Sequence, residues 1–435
     1  MGLTYSSFST SAQLPLLGDG EYLDFLPFCQ KQDFNEDVSE EVIEYPTWRP
    51  RKEYLDGLAG YRQMSPRKMH FFFDWIVGER RLAAGWHTPL YSSLSSRSKT
   101  SENIATDISN RQISNGIDKT KPVEHDTKYP IAIFSHGISG NRLCYTTFCS
   151  SLASYGFVVA ALEHRDKSSS WTYHLELDSN GVLVENPVLM DTFPDGESEF
   201  NERNIQLHHR VAECKKAVRM FEDLNLGKCA KFSDGPELQG DKIVHGHEFD
   251  WSQFKGRLDT SKASVIGHSF GGAAALASSA LSSDFTASVC LDGWLYPIED
   301  TLYSQVDRPV LMLNASKWQW KENVRRMLMI NSLPSEKIML TFKDIVHQTF
   351  SDFSFLMPGY MGKKMNLQGE LDPNFTGHAI IEIVVTFLRN CFQSGKAAND
   401  IRQLLAKYDS NFVFEGTDLN LEEQKNKETS QTSNI

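Results

Sequence analysis

The sequence predicts an α/β fold, a doubly wound and mostly parallel sheet with helices on both faces. Three observations carry this. Short apolar runs such as YPIAIFSHG (129–137) and FVVAALEH (157–164) have the length and composition of strands buried on both faces. Segments of helical period lie between them, chiefly NIQLHHRVAECKKAVRMFEDL (204–224), apolar at 207, 211, 214, 218, 221 and 224. Glycines mark the joints, as in VIGHSFGGAAALA (265–277), where a strand meets an Ala-rich helix. Buried strands alternating with helices build this kind of sheet, and its chemistry gathers at the carboxyl ends of the strands.

Taken in order, residues 1–60 are an N-terminal extension of mixed composition that is expected to pack on the core. Residues 61–395 form the expected catalytic domain. It opens with RKMHFFFDWIVGERRLAAGW (67–86), an amphipathic helix with a heavy aromatic load, which either packs inside or lies at the surface against lipid. Residues 91–127 are rich in Ser, Asn, Thr and Asp and read as a polar insertion. The alternation then runs through strand 129–137, helix 146–156 closed by Gly156, strand 157–164 and helix 204–224. Strand 263–266, helix 271–281, strands 287–291, 309–313 and 337–342, and helix 377–391 complete it. Residues 396–435 read as a C-terminal helix and a tail, untethered from about 417.

Composition excludes several function classes. The formal net charge of −12 and the lack of a Lys/Arg block disfavour nucleic acid as the partner. Seven cysteines, with no C-x-x-C pair, suggest neither a disulfide framework nor structural zinc, and fit reduced thiols in the cytosol. Asn314-Ala-Ser and Asn374-Phe-Thr match the glycosylation pattern, but Asn314 ends an apolar run where a glycan would not fit. No run approaches the length of a transmembrane helix, and no signal peptide is expected. Met1-Gly2-Leu3-Thr4-Tyr5-Ser6 fits M-G-x-x-x-[ST], which points to myristoylation at Gly2 and a cytoplasmic protein held peripherally on membrane.

Gly267-His268-Ser269-Phe270-Gly271 is a G-x-S-x-G stretch between a strand and a helix, the nucleophile elbow of the α/β-hydrolase fold. Such a turn lifts the Ser269 hydroxyl above the sheet edge. The base must follow in the chain. Of His347 and His378, His347 lies in a short loop after strand KIMLTF, whereas His378 lies near the start of a helix. The orienting acid falls at Asp292, which ends strand ASVCL, the first past the elbow; Asp344 is the rival, and the second strand ends at the uncharged Asn314. The backbone N–H groups of Phe270 and of Ile138, in the glycine loop SHGISG (135–140), are the candidate oxyanion donors. His136 is expected to support that loop, and Glu163-His164-Arg165-Asp166 to form a buried scaffold rather than a metal site.

Four blocks in order, FSHGISGNRLCYTTFCSSLASYGFVVAALEHRD, VIGHSFGGAAAL, CLDGWLYPIED and VHQTFSDFSF, resemble the platelet-activating factor acetylhydrolases, also called group VII phospholipases A2. The resemblance spans roughly residues 45–395. It implies a triad on Ser269, Asp292 and His347, and oxyanion donors at Ile138 and Phe270. It also implies calcium-independent hydrolysis of an sn-2 acetyl, or short oxidised acyl, ester of a glycerophospholipid, with no metal and no cofactor. The Gly2 pattern is similar to that of the intracellular, myristoylated branch. The family's membrane-facing segments correspond only loosely to 68–86 and 355–365. A general carboxylesterase or lipase on the same fold, and an inactive membrane-associated relative, are the alternatives. The chain's oligomeric state is not legible in its sequence.

Overall fold

In the computed structural model, the described residues are 45–49, 51–85, 90, 128–180, 183–193, 197–228, 249–393, 397–409 and 411–421. Gly2 and the whole of the 91–127 insertion lie outside them.

The chain enters through helices α1 (Glu53–Tyr61) and α2 (Pro66–Phe72), the second continuing as a π turn over Phe73–Val77. The helix expected over 67–86 is therefore shorter. It stops at Gly78, whose φ of 65° and ψ of −167° form a backbone conformation open almost only to glycine. The sheet begins with β1 (Tyr129–Ser135), followed by α3 (Thr146–Ser154) and β2 (Val158–Ala161). A hairpin of β3 (Trp171–Leu177) and β4 (Leu183–Leu189) then leaves the main sheet. The long helix α4 (Glu197–Asn225) returns the chain to β5 (Leu258–His268). Next come α5 (Phe270–Leu281), β6 (Ala287–Leu291), the short α6 (Asp300–Tyr303) and β7 (Val310–Ala315). Helix α7 (Lys321–Asn331) and β8 (Lys337–Phe342) follow. The short α8 (Phe353–Leu356) and α9 (Gly359–Lys364) precede α10 (Pro373–Phe392), α11 (Ala397–Leu405) and β9 (Val413–Glu415).

Seven strands lie side by side in the order β2-β1-β5-β6-β7-β8-β9. All pair in parallel except β9, which is antiparallel to β8. Strand residues alternate between two cores. Phe134, Ile266, Leu291, Leu313 and Leu340 face α3, α10 and α11. Ile133, Val265, Cys290, Met312 and Met339 face the layer of α4, α5 and α7. This is the α/β-hydrolase fold expected from the sequence. The chain goes outward from β1 to β2 and then returns to the other side of β1 to lay down β5. The order of winding reverses between β1 and β5, and ligand sites of open α/β sheets form at such a reversal.

Other differences have simple causes. The sequence reading passed over the β3–β4 hairpin: β3, WTYHLEL, alternates, but β4, LVENPVL, is interrupted by Glu-Asn-Pro and shows no strand period, and the pair lies outside the main sheet. It also passed over β9, a three-residue strand. Beyond residue 417 the first residues are not free: Thr417 donates to Gln319 and Leu419 and Leu421 pack on the α5–α7 core. The five described cysteines, 144, 149, 214, 290 and 391, are all unbonded. Asn314 is fully buried inside β7, where a glycan has no room.

Candidate active site

Ser269 stands between the last residue of β5 and the first of α5, with φ 58° and ψ −120°. A non-glycine residue rarely adopts positive φ, and this strain is what raises the side chain above the sheet. Its glycines are sterically required. A Cβ on Gly267 would lie 2.0 Å from the Gly271 carbonyl oxygen, and one on Gly271 would lie 2.0 Å from the Ser135 carbonyl oxygen. Helix, strand and β1 thus meet in backbone contact under the serine.

The candidate acid and base are joined directly. His347 opens a short 3-10 turn after β8, and its Nδ1 lies 2.7 Å from Asp292 Oδ2. Since an ionised carboxylate only accepts, Nδ1 carries the proton and Nε2 is free to take one. Asp292 has φ 45° at the end of β6, is 1% exposed, and accepts the Ala315 N–H at 2.8 Å on its other oxygen. Burial pushes the Asp292 carboxyl up and the His347 imidazole down. The resting ring is therefore uncharged, and the pair titrates as a unit. The rival acid points elsewhere: Asp344 Oδ1 faces Lys317 at 3.9 Å in an exposed position. His378 sits on α10.

Ser269 is tied to both neighbours through the backbone. Its N–H donates to Leu291 O at 3.0 Å, next to Asp292, and its carbonyl accepts from Trp294 N at 2.9 Å. The Ser269 hydroxyl itself makes no hydrogen bond among the described residues. Such bonds commonly tighten only once substrate is bound.

The loop after β1 is fixed at almost every peptide group. Tyr145 Oη accepts the Gly137 N–H at 3.0 Å. The Gly137 carbonyl accepts from His136 Nδ1 at 2.7 Å and from Gly140 N at 3.1 Å. Ser139 N donates to Ser168 O at 2.8 Å. Ile138 N–H has no acceptor among the described residues, nor does Phe270 N–H at the first turn of α5. Because a peptide unit is planar, anchoring the Gly137 carbonyl also orients the Ile138 N–H. Two unpartnered donors beside a raised serine are what a developing oxyanion needs.

Beneath this loop lies a buried polar network. Arg210 of α4 is wholly buried and pairs with Asp166 at 2.8 Å. It also donates to the His136 carbonyl and to Ser168 Oγ, and its guanidinium carbon lies 4.2 Å from the centre of the Phe270 ring. Burial alone would raise Asp166, but the Arg210 charge and the Ser168 hydroxyl outweigh it and hold the carboxyl far below its ordinary value. His164 bridges Ser135 Oγ at 2.7 Å and Glu213 at 2.5 Å. Burial lowers both His136 and His164, and each has both ring nitrogens engaged by neighbours, so neither rivals His347 as a base. Among the described residues no group of three or more His, Cys, Asp or Glu side chains is placed to hold a metal.

Sequence reasoning missed Arg210 and two aromatic contacts to the base. Arg210 adjoins 207, 211 and 214 on the buried face of α4, and a cation on an apolar stripe is a signal that could have been read. Trp318 stacks on His347, with ring centres 3.7 Å apart and planes 20° apart, and His268 lies 4.3 Å away from the same ring. An aromatic face stabilises an imidazolium once it forms.

A family model described as platelet-activating factor acetylhydrolase, isoform II, matches residues 91–412. Among curated proteins, platelet-activating factor acetylhydrolase of Canis lupus familiaris is 31% identical, covering 86% of this chain and 74% of its own. Those of Gallus gallus and Bos taurus are 33% and 31% identical, covering 75% and 86% of this chain and 69% and 74% of their own.

Two predictions follow from this geometry. Asp292→Asn leaves His347 without an anionic partner and should lower kcat by roughly 10⁴, as losing a triad aspartate does. Asp344→Asn should stay within about twofold of the parent, since exposed substitutions rarely matter; steady-state assay of both decides which carboxylate serves the base. Trp318→Leu removes the stack while keeping bulk, and should lower kcat about tenfold, the equivalent of the 1–2 kcal/mol of a partly desolvated cation–π contact. The urea midpoint of that variant should be nearly that of the parent.

Proposed function

The chain belongs to the platelet-activating factor acetylhydrolase isoform II family and hydrolyses phospholipid esters, and we propose that it does so by a calcium-independent serine mechanism at Ser269, acting on an sn-2 acetyl or short oxidised acyl group. The observation that carries this reading is the Asp292–His347 bond at the carboxyl edge of the sheet, beside a strained serine and two unpartnered N–H groups.

In this mechanism His347 Nε2 takes the Ser269 proton as Oγ attacks the sn-2 carbonyl carbon. Asp292 holds the imidazolium that results. The carbonyl oxygen becomes an oxyanion and accepts from Ile138 N–H and Phe270 N–H, each such donor contributing about 3–4 kcal/mol of transition-state stabilisation. The tetrahedral intermediate collapses, the glycerol oxygen leaves with the proton from His347, and a lysophospholipid departs. Water then attacks the acyl-serine with His347 as base, releasing acetate and restoring Ser269. No step requires a cation.

Substrate of this kind rests in a bilayer or micelle, so the enzyme must meet that surface. The surface we infer is the aromatic ridge of α2 and its π turn. Phe71 and Trp75 are 67% and 75% exposed and stack on one another 6.1 Å apart. Phe72, between them in the chain, is half-buried against Phe73. Met69, Phe73 and Val77 pack inward against Leu356 and Met357, and α9, which follows Met357, exposes Tyr360 at 79%. A single myristoyl chain at Gly2 binds bilayers only marginally, so chain and ridge would act together on a cytoplasmic, peripherally bound protein.

Ser269→Ala should abolish both turnover and fluorophosphonate labelling with the fold intact, while excess EDTA leaves the parent's rate on an acetylated phospholipid unchanged. Persistent labelling of the variant, or activity lost to EDTA and restored by calcium, would refute the mechanism. A panel of sn-2 chain lengths against simple aryl esters separates this reading from a general carboxylesterase. Phe71→Ala with Trp75→Ala should weaken liposome co-sedimentation at least tenfold, since each buried CH₂ contributes about 0.8 kcal/mol. Turnover of a soluble ester by that pair should be unchanged. Sedimentation equal to the parent's would remove the ridge from the membrane surface.

A further inference from the structure

The oxyanion loop and the base lie on different strands, β1 and β8, with β5, β6 and β7 between them. A chain of three hydrogen bonds nevertheless joins them. Gly137 N–H donates to Tyr145 Oη at 3.0 Å, Tyr145 Oη lies 2.9 Å from His268 Nδ1, and His268 Nε2 lies 3.0 Å from the His347 carbonyl oxygen. The protons along it have only one arrangement. The His347 carbonyl only accepts, so His268 carries its proton on Nε2 and accepts on Nδ1. Tyr145 must then give its single hydrogen to Nδ1, which leaves its oxygen to accept from Gly137.

Both side chains are buried, Tyr145 at 4% and His268 at 1% exposure. A phenol and an imidazole inside a core are costly compared with apolar residues of the same shape unless their polar atoms are used. Here they are used at both ends, and both ends are parts of the site. Gly137 precedes Ile138, and a Cβ on Gly137 would lie 3.0 Å from Tyr145 Oη and 3.1 Å from Ser269 Cβ. His268 precedes Ser269 and packs its ring on that of His347.

From this we propose that Tyr145 and His268 form a hydrogen-bonded strut that sets the separation between the oxyanion donor at Ile138 and the base at His347. They are positioning residues, acting on the site through Gly137 and His347. The strut rests on the reading of Ser269, Asp292 and His347 as the reacting groups. Its contribution is to the transition state: the proton acceptor and the oxyanion donor must be placed correctly at one moment, and misplacement of about 1 Å costs about 100-fold.

The test uses Tyr145→Phe, His268→Phe and His268→Gln in the full chain, with the double Phe variant. Gln keeps one donor and one acceptor, and Phe keeps only bulk. Tyr145→Phe is expected to lower kcat on a short-chain ester by about 30- to 100-fold with KM nearly unchanged, the scale of a small misplacement. Affinity for a trifluoromethyl ketone, which forms an oxyanion on the serine, should fall by the same factor. His268→Gln should recover most of the activity that His268→Phe loses. The double Phe variant should be no worse than the poorer single one, because both break one chain. A Tyr145→Phe enzyme with unchanged kcat and ketone affinity would overturn the strut, and so would equal losses in His268→Gln and His268→Phe. Failure of the parent itself to label at Ser269 would instead overturn the nucleophile, and the strut with it.

Discussion

The arrangement of the site depends on one buried ion pair, Arg210 with Asp166. Both side chains are fully buried, so the pair cannot be justified by Coulomb attraction alone, which in a protein interior roughly offsets desolvation. What it contributes is placement. Asp166 comes from the segment after β2, and Arg210 from α4. The guanidinium reaches from there to the carbonyl of His136 at the end of β1 and to the ring of Phe270 at the start of α5. One cation thus touches both segments that carry the unpartnered N–H groups. Its positive charge lies behind the place where negative charge would develop, fixed before any substrate arrives. Such preorganised electrostatics need no rearrangement at the moment of reaction.

Around that cation the neighbouring histidines are kept uncharged. Burial lowers His136, His164 and His268. Each has both ring nitrogens engaged by neighbours, so each acts as a fixed donor and acceptor. His347 differs. It faces Asp292 on one nitrogen only, it is more accessible than they are, and it lies between two aromatic faces. Among four neighbouring histidines it is the one with a free nitrogen and a carboxylate behind it, which is the environment a general base requires.

Much of this was legible because it is local. A strand, a G-x-S-x-G turn and an Ala-rich helix are adjacent in the chain, and the turn allows few residue types. Asp292 and His347 could be placed because each follows an apolar run long enough to read as a strand. What escaped was long-range or weakly patterned. Tyr145 to His268 spans more than a hundred residues, and nothing near either one announces the contact. The Trp318 stack depends on how two loops meet. The β3–β4 hairpin lies off the main sheet and lacks the continuous apolar run that marks the buried strands. The over-long helix at 67–86 was an avoidable misreading, since Gly78 is in plain view and glycine is the commonest residue to close a helix.

Asp352 joins three separate parts of the chain. Its carboxylate accepts from Trp48 Nε1 at 3.0 Å and from the Thr146 and Thr147 N–H groups at 2.8 and 2.9 Å. Trp48 in turn stacks on Phe73, inside the turn that carries the exposed Phe71 and Trp75. Asp352 lies five residues beyond His347. A single side chain is therefore the hub between the outer aromatic ridge, the first turn of α3 and the loop of the base. The ridge, the first turn of α3 and the loop of His347 are thus fastened to one buried carboxylate, so the outer face of the protein and the edge of the sheet that carries the candidate site share a single anchor.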